Sequence, residues 1–143
     1  MLNAEPELKA SYVAAGQLSL AFHHIIEVTS TSLTASTAVE CAGEQSPLDF
    51  WQMHDLLFAR QGDFWNAPTD AFVLAGSELG LDGPALRACM DAGNAQAKAQ
   101  RMDQERRDQG ILRRPTLAIN GTGYPGAVPL AQLQAIIDPL LAP

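Results

Sequence analysis

Between Gly110 and Gly121 the chain reads GILRRPTLAING, a proline that opens a short apolar strand running straight into an Asn-Gly turn. Asn-Gly is the strongest short-range hairpin signal, because both positions tolerate the positive φ that a two-residue turn needs to match the twist of its strands. The period therefore becomes that of a strand at Thr116 to Ile119, and a second short strand is expected near Tyr124 to Val128. Pro129 then starts a closing helix whose buried stripe is Leu130, Leu133, Ile136, Ile137 and Leu140, with Pro139 placed to bend or end it.

The stretch before this hairpin is of another kind. From Ser32 to Gln109 every signal is helical, in four or five short pieces punctuated by glycine and proline. Ser46-Pro47-Leu48-Asp49 carries the N-cap serine, N1 proline and first-turn acid of a helix start, after which Phe50, Met53, His54 and Leu57 share a face up to Gly62. Pro68 to Leu79 repeats the pattern with Phe72, Ala75 and Leu79 before Gly80. Asp82 suits the N-cap of Pro84 to Ala92, where Leu86, Cys89 and Met90 share a face, and Asn94 caps a last piece. The mixed charges of that piece, Lys98, Arg101, Asp103, Glu105, Arg106, Arg107 and Asp108, read as a solvated helix face.

Nearer the N-terminus, Leu8, Tyr12 and Ala15 followed by Gly16 read as the tail of a helix. In QLSLAFHHIIE, Gln17 to Glu27, the residues Leu18, Leu20 and Phe22 alternate against Gln17, Ser19 and Ala21, which predicts a strand.

With 143 residues, 47% of them apolar, the chain can bury one core and is expected to form a single domain over 1–143. A net charge of −7 with only two short basic runs, Arg106-Arg107 and Arg113-Arg114, argues against nucleic acid as a partner. No apolar run approaches the roughly 18 residues of a membrane span. Met1 to Glu5 has neither a basic n-region nor an apolar h-region, so no export signal is expected. Two cysteines, Cys41 and Cys89, are too few for a disulfide scaffold, and no His/Cys cluster has zinc spacing. No metal and no cofactor are expected.

The order of elements resembles the DsbA-like branch of the thioredoxin superfamily, in which a helical insertion separates the strand after the active-site helix from the proline strand. Similar segments are EPELKASYVAAGQLSLAFHHI, AVECAGEQ followed by FWQMHDLLFARQ, ELGLDGPALRACMDAG, and PTLAINGTGYPGAVPLAQLQAIID; FWxMHDLLF is the most specific, and together they cover the chain from Glu5 onward. The resemblance implies an α/β thioredoxin-like fold with its insertion at about 32–109. It implies further that the family's first strand and its Cys-x-x-Cys lie N-terminal to Met1, so that this chain is a truncated version without central strand or nucleophile. Arg114 stands where the family usually has Thr or Val, and His24-Ile25-Ile26-Glu27 stands for its usual His-Phe-Pro-Leu turn.

Several site expectations follow from the resemblance. Arg114, Pro115 and Thr116 are the substrate-groove residues, with a cis bond at Pro115 leaving neighbouring backbone free to pair with an extended peptide or protein thiol substrate. Cys41 and Cys89 are the candidates for a structural disulfide of the kind some family members carry, the alternative being two buried free thiols. No catalytic residue is assigned, since a mid-helix thiol lacks the helix dipole and cation that lower its pKa. His23 and His24 point to opposite faces of an extended chain and are read as structural. His54 reads as packing with a polar tip, and Trp51, Phe58, Phe64 and Trp65 as insertion core.

The missing strand would flank both the Leu18 to Phe22 strand and the Thr116 to Ile119 strand in the resembling fold. Each buried unpaired group costs about 1 to 3 kcal/mol, so the two strands are expected to pair directly or to meet a partner, as in a homodimer. Three functions stay open: a DsbA-type thiol–disulfide oxidoreductase, redox-inactive here without its Cys-x-x-Cys; a non-catalytic module binding peptides or a partner through the proline groove; and a truncated frame with no independent function. Since members of the family occur both exported and cytoplasmic, the compartment stays open.

Overall fold

A computed structural model describes residues 4–142 of the chain. Its elements are α1 (Glu5–Leu8), continued by a π-helical stretch (Lys9–Val13), then α2 (Ser32–Gln45), α3 (Pro47–Ala59), α4 (Gln61–Phe64), α5 (Thr69–Glu78), α6 (Gly83–Ala92), α7 (Asn94–Asp108), β1 (Thr116–Ile119), β2 (Thr122–Pro125) and α8 (Leu130–Leu141). They form two compact units: His23–Arg106, and the described residues up to Phe22 together with those from Arg107 onward. None of these helices is long and apolar enough to cross a membrane.

The helical unit, His23–Arg106, is built around α2. Its sequence SLTASTAVECAGEQ is rich in small side chains, which lets α3, α5 and α6 approach closely, and every residue from Ser36 to Ala42 is buried. The first turn of α3 is secured as its sequence predicts: Ser46 Oγ accepts from the Asp49 N–H at 3.1 Å and donates to the Asp49 carboxylate at 2.7 Å, behind Pro47 at N1. Asp82 caps α6 by accepting from the Ala85 N–H at 2.8 Å, and Gly93, at φ 81°, ends that helix in the left-handed region. The core between them is Met53, Phe72 and Leu86, each fully buried, with Leu57, Phe64 and Met90 around it. Burying a side chain of that size is worth about 1.5 to 3 kcal/mol. Trp65, in contrast to the core position expected for it, is 48% exposed: it lies just beyond the short α4, where Thr31 Oγ1 caps the carbonyls of Phe64 and Trp65.

The other unit packs Leu8, Leu133 and Ile137 into a small core, with Tyr12, Leu18, Leu117, Ile119 and Val128 at its margin. The hairpin pairs Thr116 with Pro125, Leu117 with Tyr124, Ala118 with Gly123 and Ile119 with Thr122, across a turn in which Asn120 and Gly121 have φ of 48° and 84°. Two positive φ values in a two-residue loop are the type I′ geometry that Asn-Gly favours. The second strand therefore starts at Thr122, directly after the turn, and ends before the expected Tyr124 to Val128 is complete. Pro139 lies inside α8, which runs on to Leu141. Leu140, expected in the buried stripe of that helix, is 54% exposed, so the stripe closes at Ile137.

The strand expected at Gln17 to Glu27 is not formed. Among the described residues the sheet has two strands only, β1 and β2, and direct pairing of Leu18 to Phe22 with β1 does not occur. A strand exists only through its ladder, and here the Leu18 N–H turns back to the Tyr12 carbonyl at 3.2 Å. Alternating polarity marked which side chains face inward, but among the described residues the segment is not part of the sheet.

Candidate functional site

The expected groove residues lie on the loop that enters β1. The Arg114–Pro115 peptide bond is cis. Arg114 is exposed, Pro115 and Thr116 are half-buried, and Thr116 Oγ1 donates to the Arg113 carbonyl at 2.6 Å, closing the loop on itself. The Pro115 carbonyl accepts from the Gly126 N–H at 2.7 Å, which extends the hairpin by one bond below Thr116.

That bond also fixes which backbone groups of β1 are used internally. In an antiparallel ladder, residues alternate between exchanging hydrogen bonds with the partner strand and pointing their N–H and C=O away from it. Counting back from the two-residue turn, Ile119, Leu117 and Pro115 face β2. Thr116 and Ala118 direct their backbone groups to the opposite edge, along which no strand lies among the described residues. An edge of this kind can take up an extended peptide.

Cys41 and Cys89 are joined in a disulfide, with their Cα atoms 5.8 Å apart, linking the middle of α2 to the second turn of α6. Both cysteines of the sequence are thereby used. This bridge belongs to the helical unit and the proline loop to the other, so the expected residues form two separate sets.

Sequence reasoning passed over the polar centre of the helical unit. Glu40, one residue before Cys41, is buried in α2; His24 Nε2 lies 2.7 Å from one carboxylate oxygen and Lys98 Nζ 2.5 Å from the other. Burial raises the Glu40 carboxyl, but the hydrogen bonds and charges of His24 and Lys98 outweigh it and hold the group below the usual carboxylate range. Nearby in sequence, Asp103 and Arg106 of α7 are also buried. Arg106 contacts Asp103 through Nε at 2.8 Å and Nη2 at 2.6 Å, Asp103 accepts from the Ile26 N–H at 3.3 Å, and Arg106 reaches Glu27 at 3.3 Å. The charge run on α7 is thus not a uniformly solvated face. Its i, i+3 acid–base pair is the anchor for the extended segment His23 to Glu27. The available signal was a carboxylate inside the apolar run AVECA, which only a partner could make tolerable.

His23 is exposed and His24 buried, on opposite sides of that segment, as alternation requires. His54 is buried in α3, its Nδ1 2.8 Å from Asp55 and its ring against Trp51 and Phe58 at 5.3 and 4.6 Å between centroids. It packs against these rings with a polar contact at Nδ1, in the manner read from the sequence.

Beyond this geometry, the thioredoxin family model matches residues 1–139. The chain belongs to the thioredoxin family. Thioredoxin-family membership makes it a thiol–disulfide oxidoreductase-like protein in the general sense, and the hairpin and helices are compatible with an α/β fold of that type. No curated protein and no solved structure is matched by the chain.

Proposed function

We propose that this thioredoxin-family chain is DsbA-like, that its 143 residues do not catalyse thiol–disulfide exchange in other proteins, and that they keep the part of the family's machinery that holds an extended peptide. The observation that carries this reading is that the sequence contains two cysteines and both are consumed in one bridge between helices. Dithiol exchange in this family relies on a thiolate stabilised at a helix N-terminus, and Cys41 lies mid-helix and buried. The peptide-holding role is supported by the outward-facing backbone of Thr116 and Ala118 beside the Arg114–Pro115 loop.

An insulin-reduction assay with a dithiol as electron donor tests it. The isolated chain is expected to leave the rate at that of the donor alone. Catalysed reduction that disappears in a Cys41→Ser variant would overturn the reading.

A further inference from the structure

The Cys41–Cys89 bridge joins two helices that are already held together by other means. Leu86 and Met90 seat α6 in the core of the helical unit, and Leu86 fills the space a side chain on Gly76 would need, its Cδ2 only 2.4 Å from where a Cβ would fall, so that α5 and α6 interlock. At the start of α6, the Gln45 side chain at the end of α2 donates to the Asp82 carbonyl at 3.1 Å and accepts from the Asp82 N–H at 2.9 Å. Arg87 of α6 pairs with Asp70 of α5. The position of α6 is therefore set without sulfur.

The two sulfur-bearing residues also differ in access. Cys41 is 1% exposed in the middle of α2, whereas Cys89 is only partly buried and follows the exposed Arg87 and Ala88. We propose that the bridge is a thiol-exchange site of this protein, opened by an external dithiol that attacks at Cys89 while α6 stays in place. A thiolate of the dithiol attacks Cys89 Sγ; a bond forms between the two sulfurs, the Cys41–Cys89 bond breaks, and Cys41 leaves as a thiolate that takes up a proton. The second thiolate of the dithiol then attacks its own sulfur in the mixed disulfide and releases Cys89. The protein gains two electrons and two protons as a pair of thiols, and the reductant departs as a disulfide. Attack at Cys41 is excluded by its burial, because exchange needs a sulfur the nucleophile can reach.

The test is done on the oxidised chain in native buffer. Excess reduced glutathione followed by an acid quench, alkylation and peptide mapping is expected to place glutathione on Cys89 and the alkyl group on Cys41. Dithiothreitol is expected to yield two thiols with the helical circular dichroism signal retained. Glutathione on Cys41, an even split between the two, no reduction short of denaturation, or reduction only in step with loss of helix would each overturn the proposal. In Cys41→Ser and Cys89→Ser variants that fold, the remaining Cys89 should react with an aromatic disulfide reagent roughly tenfold or more faster than the remaining Cys41, since the rate follows access; equal rates refute it. Should a variant not fold, the map of the unmodified chain decides.

Discussion

Glu40 and Asp103 show what a single buried carboxylate can do to a helical unit. The folded-state pKa of Glu40 lies below its ordinary value, so its ionised form is favoured by folding. The stability this contributes is fully present above the usual glutamate value of about 4.3 and is lost as the pH falls through the lowered folded value. Urea midpoints of the wild type should therefore drop in that acid window, and a Glu40→Gln variant, which has no such proton to take up, should drop less. A parallel fall in both proteins would show that other groups dominate. Asp103 has the opposite relation to its neighbour, since it is the residue that makes Arg106 tolerable. Asp103→Ala takes the closer of two carboxylates, at 2.6 Å against 3.3 Å for Glu27, from a guanidinium that is 5% exposed, and is expected to cost about 3 kcal/mol in urea unfolding. The double change Asp103→Leu with Arg106→Met should cost less than that single change, because it removes the buried charge along with its partner.

At the scale of elements, the hairpin and the α5–α6 contact use glycine for different reasons, and substitution separates them. At Gly121 no atom lies within 4 Å of an added Cβ, but φ is 84°. Gly121→Ala should thus cost about 1 kcal/mol of conformational strain and Gly121→Asn less, asparagine being at ease in that region. Gly76 has ordinary helical backbone and no room, with Leu86 fully buried and unable to give way. There both Gly76→Ala and Gly76→Asn are expected to lose about 1 to 3 kcal/mol by overpacking. Thermal melts of the four variants check the pattern; a Gly121→Asn protein as damaged as Gly76→Asn would contradict it. Ala118→Pro addresses the outward edge of β1. It deletes an N–H that faces away from β2, so the hairpin should persist while the capacity to pair with an extended peptide is lost.

For the molecule as a whole, the bridge closes a loop with a sequence separation of 48 that contains α3, α4 and α5. The chain-entropy relation assigns about 4 kcal/mol to closing such a loop in the unfolded state. Urea unfolding with and without reductant should show a loss of that order or less, without loss of helix in the absence of urea. The outward edge of β1, along which no strand lies among the described residues, has a consequence for association. A two-stranded hairpin is marginal alone, and pairing across a twofold axis would satisfy the Thr116 and Ala118 backbone in both copies. Light scattering at micromolar concentration is expected to give a dimer; a monomer stable to dilution would refute it.

Much of this protein was legible in residue order. Helix starts at Ser46 and Asp82, the stop at Gly93 and the Asn120-Gly121 turn are decided within a few residues of chain, because capping and turn geometry are local. The inward faces of α3, α5 and α6 follow from the helical period for the same reason. Four features depended on what lies opposite in space. Leu18 to Phe22 has strand polarity but lies outside the sheet that the described residues form, and the end of β2 is set by register against β1 rather than by its own composition. Trp65 is exposed because α4 is a single short turn. Glu40, Asp103 and Arg106 look like surface residues until His24, Lys98 and the Ile26 N–H, distant in sequence, are brought against them. Local chemistry is written in neighbouring residues, whereas burial of charge and pairing of backbone are settled by partners that only the folded chain assembles.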